Sequence, residues 1–128
     1  MSKREYEEKH VFLEIPAVPI TKGGGRSPEE AYKVIQGHIP KDFEPLIHPA
    51  LEFNAIFEFK KGKPDRYKSC DVDNLLKTVI DAVKGKMFIG DDRIINTISA
   101  KKKLSYRDMT TIHIATERNM EDETEEII

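Results

Sequence analysis

The 128-residue chain has a single cysteine, no tryptophan and no long apolar run. The one thiol, Cys70, excludes an internal disulfide framework and fits a reducing compartment. No segment approaches the roughly 18 uninterrupted apolar residues of a membrane span. We therefore expect a cytoplasmic protein without a membrane partner. The length corresponds to one ordinary domain, which can bury a core without disulfides or a structural metal.

The chain also lacks a large net charge, since 21 basic and 23 acidic residues leave a formal charge of −2. Taken alone, this value argues against a strongly basic nucleic-acid-binding protein. The charge is unevenly distributed, however, because residues 117–128 hold six acids and only one base, Arg118. Without them, 20 basic and 17 acidic residues remain, a net charge of +3. We predict a folded domain over residues 1–116 and an acidic, flexible tail over residues 117–128.

Basic residues form two clusters, one within residues 60–68 and one at residues 101–103. Such clusters are either solvated loops and strand ends or surfaces that bind phosphate groups. Both lie close to groups of aspartates, which favours contact with nucleic acid, and Tyr67 is an aromatic candidate for the same contact. The candidate DNA-binding residues are Lys22, Arg26, Lys60, Lys61, Lys63, Arg66, Lys68, Lys101, Lys102 and Lys103.

The hydrophobic pattern predicts an α+β fold. Apolar and polar residues alternate in strand-like segments at residues 11–15, 51–59, 94–102 and 109–116, the last two joined by a turn at residues 105–108. Ser27, Pro28 and Glu30 are typical of a helix start that continues to about Gly37. A second helix has Asp73 at the N-cap position and Gly85 just past its end. This order predicts a single domain with one mixed sheet of about four strands covered by helices.

Aspartates surround the start of that second helix. Asp71 and Asp73 are two residues apart in a segment expected to be extended, so their side chains can point the same way. Lys77 lies one helical turn beyond Asp73. Asp91 and Asp92 follow later, and they reach the helix start only if residues 86–91 run nearly straight back along the helix.

Converging carboxylates repel one another unless a cation lies between them, and oxygen ligands favour Mg²⁺ or Mn²⁺. Such ions beside a basic surface catalyse phosphodiester hydrolysis. An isolated pair of aspartates before a helix is more often a cap, and two aspartates after a glycine are more often a turn. The residues by themselves therefore leave a metal site and plain local structure both open.

The segment from Asp71 to Lys77, followed by Asp81 and by Gly90-Asp91-Asp92, resembles the RusA family of Holliday junction resolvases. The shared pattern is a D-x-D-N-L-x-K helix start, an aspartate one turn after the lysine, and a later Asp-Asp pair. The similarity is dense over residues 71–95 and weaker over residues 15–22. Two features depart from the family pattern. Ser69-Cys70 stands where the family usually has Lys-Pro, and three glycines at residues 23–25 interrupt a segment that is more basic in the family.

The resemblance implies a Mg²⁺-dependent endodeoxyribonuclease, with Mn²⁺ able to substitute, encoded by a bacterium or a phage. Such an enzyme acts in DNA recombination and repair as a homodimer that nicks two opposed strands of a four-way junction. By position, Asp71, Asp73 and Asp92 are the catalytic metal-binding carboxylates, Asp91 is an accessory ligand, and Lys77 is the catalytic lysine. Residues 1–116 would then form a RusA-like endonuclease domain that recognises branched DNA by shape through phosphate contacts.

Two other functions remain as alternatives. A non-catalytic, structure-selective DNA-binding protein of the same fold would use the basic surface alone, and the intact Asp71, Asp73, Lys77 and Asp92 disfavour it. A phosphatase with Asp71 as its nucleophile would need a buried strand directly before that residue. Residues 67–70 are too polar for such a strand.

Overall fold

The computed structural model describes residues 8–20, 27–62 and 64–117, apart from the side chains of residues 64 and 65. The predicted contacts Lys22, Arg26 and Lys63 lie outside the described residues, as does the predicted tail from residue 118 onward. In chain order, the elements are β1 (His10–Ile15), α1 (Pro28–Gln36), β2 (Leu51–Lys60), α2 (Pro64–Ser69), α3 (Val72–Val83), a 3-10 turn (Asp92–Ile94), β3 (Ile95–Ser105) and β4 (Met109–Thr116).

The four strands form one mixed sheet in the order β1-β4-β2-β3. β2 and β3 are parallel, while β4 runs antiparallel to both β1 and β2. The chain reaches the parallel strand β3 through α2 and α3, a connection of the length that parallel pairing requires. The predicted α+β fold, a single domain with a mixed four-stranded sheet and helices, is confirmed.

The core lies between α1, α3 and one face of the sheet. The side chains of Leu51, Phe53, Ala55, Phe57 and Phe59, which alternate along β2, are 0–2% exposed. Val79 and Val83 of α3 and Ile35 of α1 belong to the same buried cluster. Burial of these large side chains is the main stabilising term of the fold, and it fixes α3 against the sheet.

Two local predictions were wrong. α3 begins at Val72 with Asp71 as its N-cap, so the segment from Asp71 to Asp73 is not extended and Asp73 lies in the first turn. The helix starts earlier because Val72 packs against the core and extends the apolar stripe by one position. Gly85 does follow the helix with a positive φ of 82°, as the predicted glycine terminator.

The short helix α2 was not predicted from the basic segment. Its stability depends on contacts with distant parts of the chain. The Tyr67 ring packs edge-on against Phe59, with 5.8 Å between the ring centres, and Lys102 donates hydrogen bonds to the carbonyl oxygens of Tyr67 and Cys70. The hydrophobic pattern of a six-residue segment cannot predict a helix that is held by contacts with distant residues.

Candidate active site

The first turn of α3 presents two exposed carboxylates. Asp71 has extended backbone angles (φ −79°, ψ 130°), and its side chain makes no capping hydrogen bond. Asp73 lies two residues on and is also exposed. Val72 and Leu75 anchor this end of the helix in the core. Both carboxylates therefore project into solvent at the positive end of the helix dipole, which favours negative charge.

An open groove runs along the exposed side of α3. Three polar side chains at successive helical turns line it, namely Asp73, Lys77 and Asp81, together with Asp92 from the loop that precedes β3. Leu76 and Ile80 form its apolar floor, and the groove is open to solvent. Lys77 is exposed and has no hydrogen bond or ion pair among the described residues. The groove thus combines three carboxylates with one unengaged ammonium group.

Asp92 reaches this groove from the C-terminal end of α3. A straight return along the helix was the condition for Asp91 and Asp92 to reach the helix start. The connecting loop instead turns directly after the helix, at residues 85–88. The Gly85 N–H donates to Phe88 O at 2.8 Å, and Leu46 exchanges backbone hydrogen bonds with Met87 (2.8 Å) and Ile89 (2.9 Å). These bonds hold the loop beside the last turn of the helix.

Lys84, the C-cap residue of α3, donates to Asp92 Oδ1 at 3.0 Å. The hydrogen bond and charge of Asp92 raise the pKa of Lys84, and the charges of Asp81 and Asp91 act in the same direction. Lys84 therefore remains protonated and serves as the counter-ion of Asp92.

Asp91 is engaged elsewhere. Its Oδ1 accepts the backbone N–H of Arg93 at 2.8 Å and caps the 3-10 turn, while Oδ2 accepts from the Arg93 guanidinium at 2.8 Å. The side-chain and backbone hydrogen bonds from Arg93 lower the pKa of Asp91. The fold gives Asp91 the role of a turn cap.

Asp71 lies outside the groove, in a neighbouring pocket that also contains Pro19, Cys70 and Asn74. The structure thus places Asp73, Lys77 and Asp92 along one groove. Asp71 lies in a different pocket at the start of the helix. Within the described ranges, no three Asp, Glu, His or Cys side chains are arranged to hold a metal ion. The donor chemistry of the groove nevertheless suits a hard cation, since Asp73, Asp81 and Asp92 offer carboxylate oxygens. A cation bound by Asp92 would compete with Lys84 for that carboxylate.

Three residues around the groove were not proposed as site residues from the sequence. Asp81 lines the groove, and its position one turn after Lys77 was a visible signal. It also lies near Tyr32 of α1, and burial, followed by the interaction with Asp81, raises the pKa of the Tyr32 hydroxyl. Lys84 had no signal in the sequence, because its pairing with Asp92 depends on the path of the loop.

The basic run in β3 is divided between the two faces of the sheet. Lys102 pairs in register with Phe57 and lies on the helix-covered face, whereas Lys101 and Lys103 pair with Ile56 and Glu58 on the opposite face. Lys102 is half-buried, donates to Cys70 O at 2.8 Å, and lies 4.8 Å from the Tyr67 ring centre. It holds together the junction between α2 and α3, just before Asp71.

Arg66 is likewise used within the fold. Its guanidinium donates to Asp108 Oδ1 at 2.7 Å and lies 5.9 Å from the centre of the Phe59 ring. The remaining candidate DNA contacts in the described part of the chain are exposed, and their side chains form no hydrogen bond or ion pair there. These are Lys60, Lys61, Lys68, Lys101 and Lys103.

Comparison with known proteins gives one family. The model of the family described as "Endodeoxyribonuclease RusA" matches residues 30–115, which include the aspartate motif, Lys77 and the Asp91-Asp92 pair. A search of curated proteins returned no match. Among the described residues, no helix is both long and apolar enough to cross a membrane. Since the family match covers about two thirds of the 128 residues, the chain belongs to the RusA family of endodeoxyribonucleases.

Proposed function

We propose that this chain is a Mg²⁺-dependent endonuclease that resolves four-way DNA junctions by paired nicks as a homodimer, with Mn²⁺ able to replace Mg²⁺. The observation that carries the proposal is the groove along α3, where Asp73, Lys77 and Asp92 lie together in a chain of the RusA family. A four-way junction has approximate two-fold symmetry. A two-fold dimer would offer one active site to each of two matching strands.

Asp73 and Asp92 would hold the ion from within the groove. Asp71 would join them only after its side chain turns out of the neighbouring pocket, and Asp91 would serve as an accessory ligand only after it releases Arg93. When held there, Mg²⁺ would supply an acidified water molecule and would neutralise charge on the scissile phosphate. Lys77 binds a phosphate oxygen through its exposed ammonium group and stabilises the negative charge that develops there. Lys84 orients the Asp92 carboxylate through its hydrogen bond.

The exposed lysines would bind the DNA backbone. For this role we propose Lys60, Lys61, Lys68, Lys101 and Lys103, together with Lys22, Arg26 and Lys63. Arg66 and Lys102 are excluded because their charged groups are engaged inside the fold. Contacts of this kind recognise the shape of branched DNA with little readout of base sequence.

Neutralising single aspartates tests the catalytic assignment. We expect Asp71→Asn, Asp73→Asn and Asp92→Asn each to abolish cleavage of a synthetic mobile junction in Mg²⁺. Junction affinity should be preserved or increased, because each change removes a negative charge near phosphate. Cleavage is measured on gels and affinity by fluorescence anisotropy. Glu14 is exposed between the buried Leu13 and Ile15 of edge strand β1, so it lies on the sheet face away from α3. Glu14→Gln is therefore the matched control and should cleave like the wild type.

Each outcome separates the alternatives. Wild-type protein that binds the junction in Mg²⁺ without cutting it would contradict the nuclease and support the non-catalytic DNA-binding protein. A fully active Asp71→Asn beside inactive Asp73→Asn and Asp92→Asn would remove Asp71 from the site and leave the groove as the catalytic centre.

A further inference from the structure

The turn between β3 and β4, residues 105–108, presents an exposed aromatic ring. Tyr106 is 77% exposed, and its ring contact within the described part of the chain is with Arg107, whose guanidinium carbon lies 5.3 Å from the ring centre. Tyr67, the aromatic candidate from the sequence, is instead half-buried against Phe59. The Tyr106 ring contributes little to the core, and its exposure therefore calls for another explanation.

The turn holds this ring in a defined place. On one side, Ser105 Oγ donates to Glu58 at 2.9 Å, and Ser105 O accepts the Lys61 N–H at 2.7 Å. On the other side, Asp108 Oδ1 accepts from the Lys60 N–H at 2.8 Å and from Arg66 at 2.7 Å. Both sides of the turn are therefore held by hydrogen bonds. Stacking of a ligand on Tyr106 would cost the turn little additional conformational entropy.

The two acids at the turn are neutralised by internal partners. Burial alone would raise the pKa of Glu58, but hydrogen bonds from Ser105 and Arg107 and the charges of Arg107 and Lys103 outweigh it, so the pKa lies below its usual value. Asp108 is paired with Arg66. Lys60, Lys61 and Lys103 are exposed and form no ion pair within the described structure, although the charge of Lys103 acts on Glu58. The backbone of Lys60 and Lys61 is bonded to the turn that carries the Tyr106 ring. An aromatic ring on a turn next to basic residues is complementary to a nucleic acid, whose bases stack and whose phosphates are negative.

The turn lies at the end of the molecule where α3 begins. Arg66 links α2 to Asp108, and Lys102 links the C-terminal end of α2 to the sheet immediately before Asp71. One short helix therefore connects the turn to the first carboxylate of the candidate site.

We propose that residues 105–108 form a binding site for DNA bases whose faces are not covered by duplex stacking. Tyr106 stacks on such a base, and Lys60, Lys61 and Lys103 bind the flanking phosphates. This inference rests on the proposed function and extends it to substrate choice, since branch points and single strands offer uncovered base faces while the interior of a duplex does not.

The test compares Tyr106→Ala, Tyr106→Phe and Tyr106→Trp with the control Phe12→Ala. Phe12 is also an exposed aromatic, 65% accessible, but it lies on β1 at the other edge of the sheet from Lys101 and Lys103. Fluorescence anisotropy in EDTA, where no cleavage occurs, measures binding to a labelled single strand, a four-way junction and a duplex of equal length. A 2-aminopurine at the branch point reports stacking directly.

We expect Tyr106→Ala to weaken binding of the single strand and the junction about five-fold or more, with a much smaller effect on the duplex. The Phe and Trp variants should retain binding because stacking needs a ring and not a hydroxyl group. Phe12→Ala should bind like the wild type.

Three results would overturn the inference. The first is that the wild type does not bind the single strand. The second is that Tyr106→Ala loses affinity equally for all three DNAs or for none of them. The third is that Tyr106→Ala is a monomer in sedimentation velocity where the wild type is a dimer. The last would assign the turn to a subunit contact. Failure of the wild type to cleave junctions in Mg²⁺ would instead contradict the proposed function, and the metal-free single-strand measurement would still decide the role of Tyr106.

Discussion

Residues of the same type have different roles in this protein, according to the face on which the fold places them. Lys101, Lys102 and Lys103 are consecutive, yet strand alternation points the middle one toward α2 and its neighbours toward the opposite face. Lys102 satisfies carbonyl oxygens at the end of α2, which would otherwise lack partners. Its neighbours keep their charge in solvent.

Lys102→Met therefore tests a structural role. The methionine retains the apolar stem but loses two charge-assisted hydrogen bonds, so we expect the free energy of unfolding in urea to fall by about 1.5–3 kcal/mol. The matched Lys101→Met should stay within about 0.5 kcal/mol of the wild type. It should instead weaken DNA binding and make its salt dependence shallower. Equal stabilities of the two variants would contradict the assignment of Lys102 to the fold.

At the scale of elements, α3 and the loop after it decide which carboxylates meet. Helical spacing puts Asp73, Lys77 and Asp81 in line, and the loop delivers Asp92 beside Lys84 at the other end of the helix. Gly90 is a constrained point of this loop. Its φ is +129°, and an added Cβ would lie 2.9 Å from Cδ1 of Ile94.

We expect Gly90→Ala to destabilise the protein and to displace Asp92, chiefly because a φ of +129° strains any residue with a Cβ. Movement of the Ile94 side-chain end away from the added methyl group adds a smaller cost. Gly85→Ala is the matched control, since Gly85 has φ +82° but open space around an added Cβ. Gly85→Ala should lower the free energy of unfolding by only about 1–2 kcal/mol, the cost of a positive φ for a residue with a Cβ. Urea unfolding and junction cleavage measure both variants. A Gly90→Ala protein as stable and active as Gly85→Ala would show that the loop adapts freely.

At the scale of the whole molecule, the distribution of charge matters more than the net value of −2. Residues 1–117 hold 20 basic and 18 acidic residues and are therefore net positive. Glu117 belongs to the fold and not to the predicted tail, since its N–H donates to Ala50 O at 3.1 Å and its carboxylate accepts from Thr97 at 2.9 Å. We expect the acidic segment that follows to compete electrostatically with DNA for the basic surface.

Deletion of residues 118–128 should therefore increase affinity for duplex DNA at low salt, and the difference should shrink as salt screens the charges. Anisotropy titrations at several salt concentrations measure the effect. A full-length variant with the five acids of this segment changed to amides should behave like the deletion. Unchanged affinity of both proteins at low salt would reject the screening role.

Much of the fold could be predicted because its signals are local. Ser27 caps α1 as expected, accepting the Glu30 N–H, and β2 buries the alternating face that its pattern indicated. The start of α3 was misplaced by two residues, because Asp71 and Asp73 are both acceptable N-caps and only the packing of Val72 chooses between them. The sequence left open whether Asp91 and Asp92 reach the helix start. The path of the loop depends on backbone hydrogen bonds between Leu46 and residues 87 and 89, about forty positions away along the chain.

By itself, the sequence determined the kind of chemistry available: a DxD helix start, a lysine one turn later, an Asp-Asp pair, basic clusters, and the motif of the RusA family. Only the tertiary structure decided which of these groups share a surface. It placed Asp92 beside Lys84, turned Lys102 inward and left Tyr106 exposed on an anchored turn. Capping and periodicity act over a few residues and are visible in the sequence, whereas these placements depend on contacts between segments that are distant along the chain.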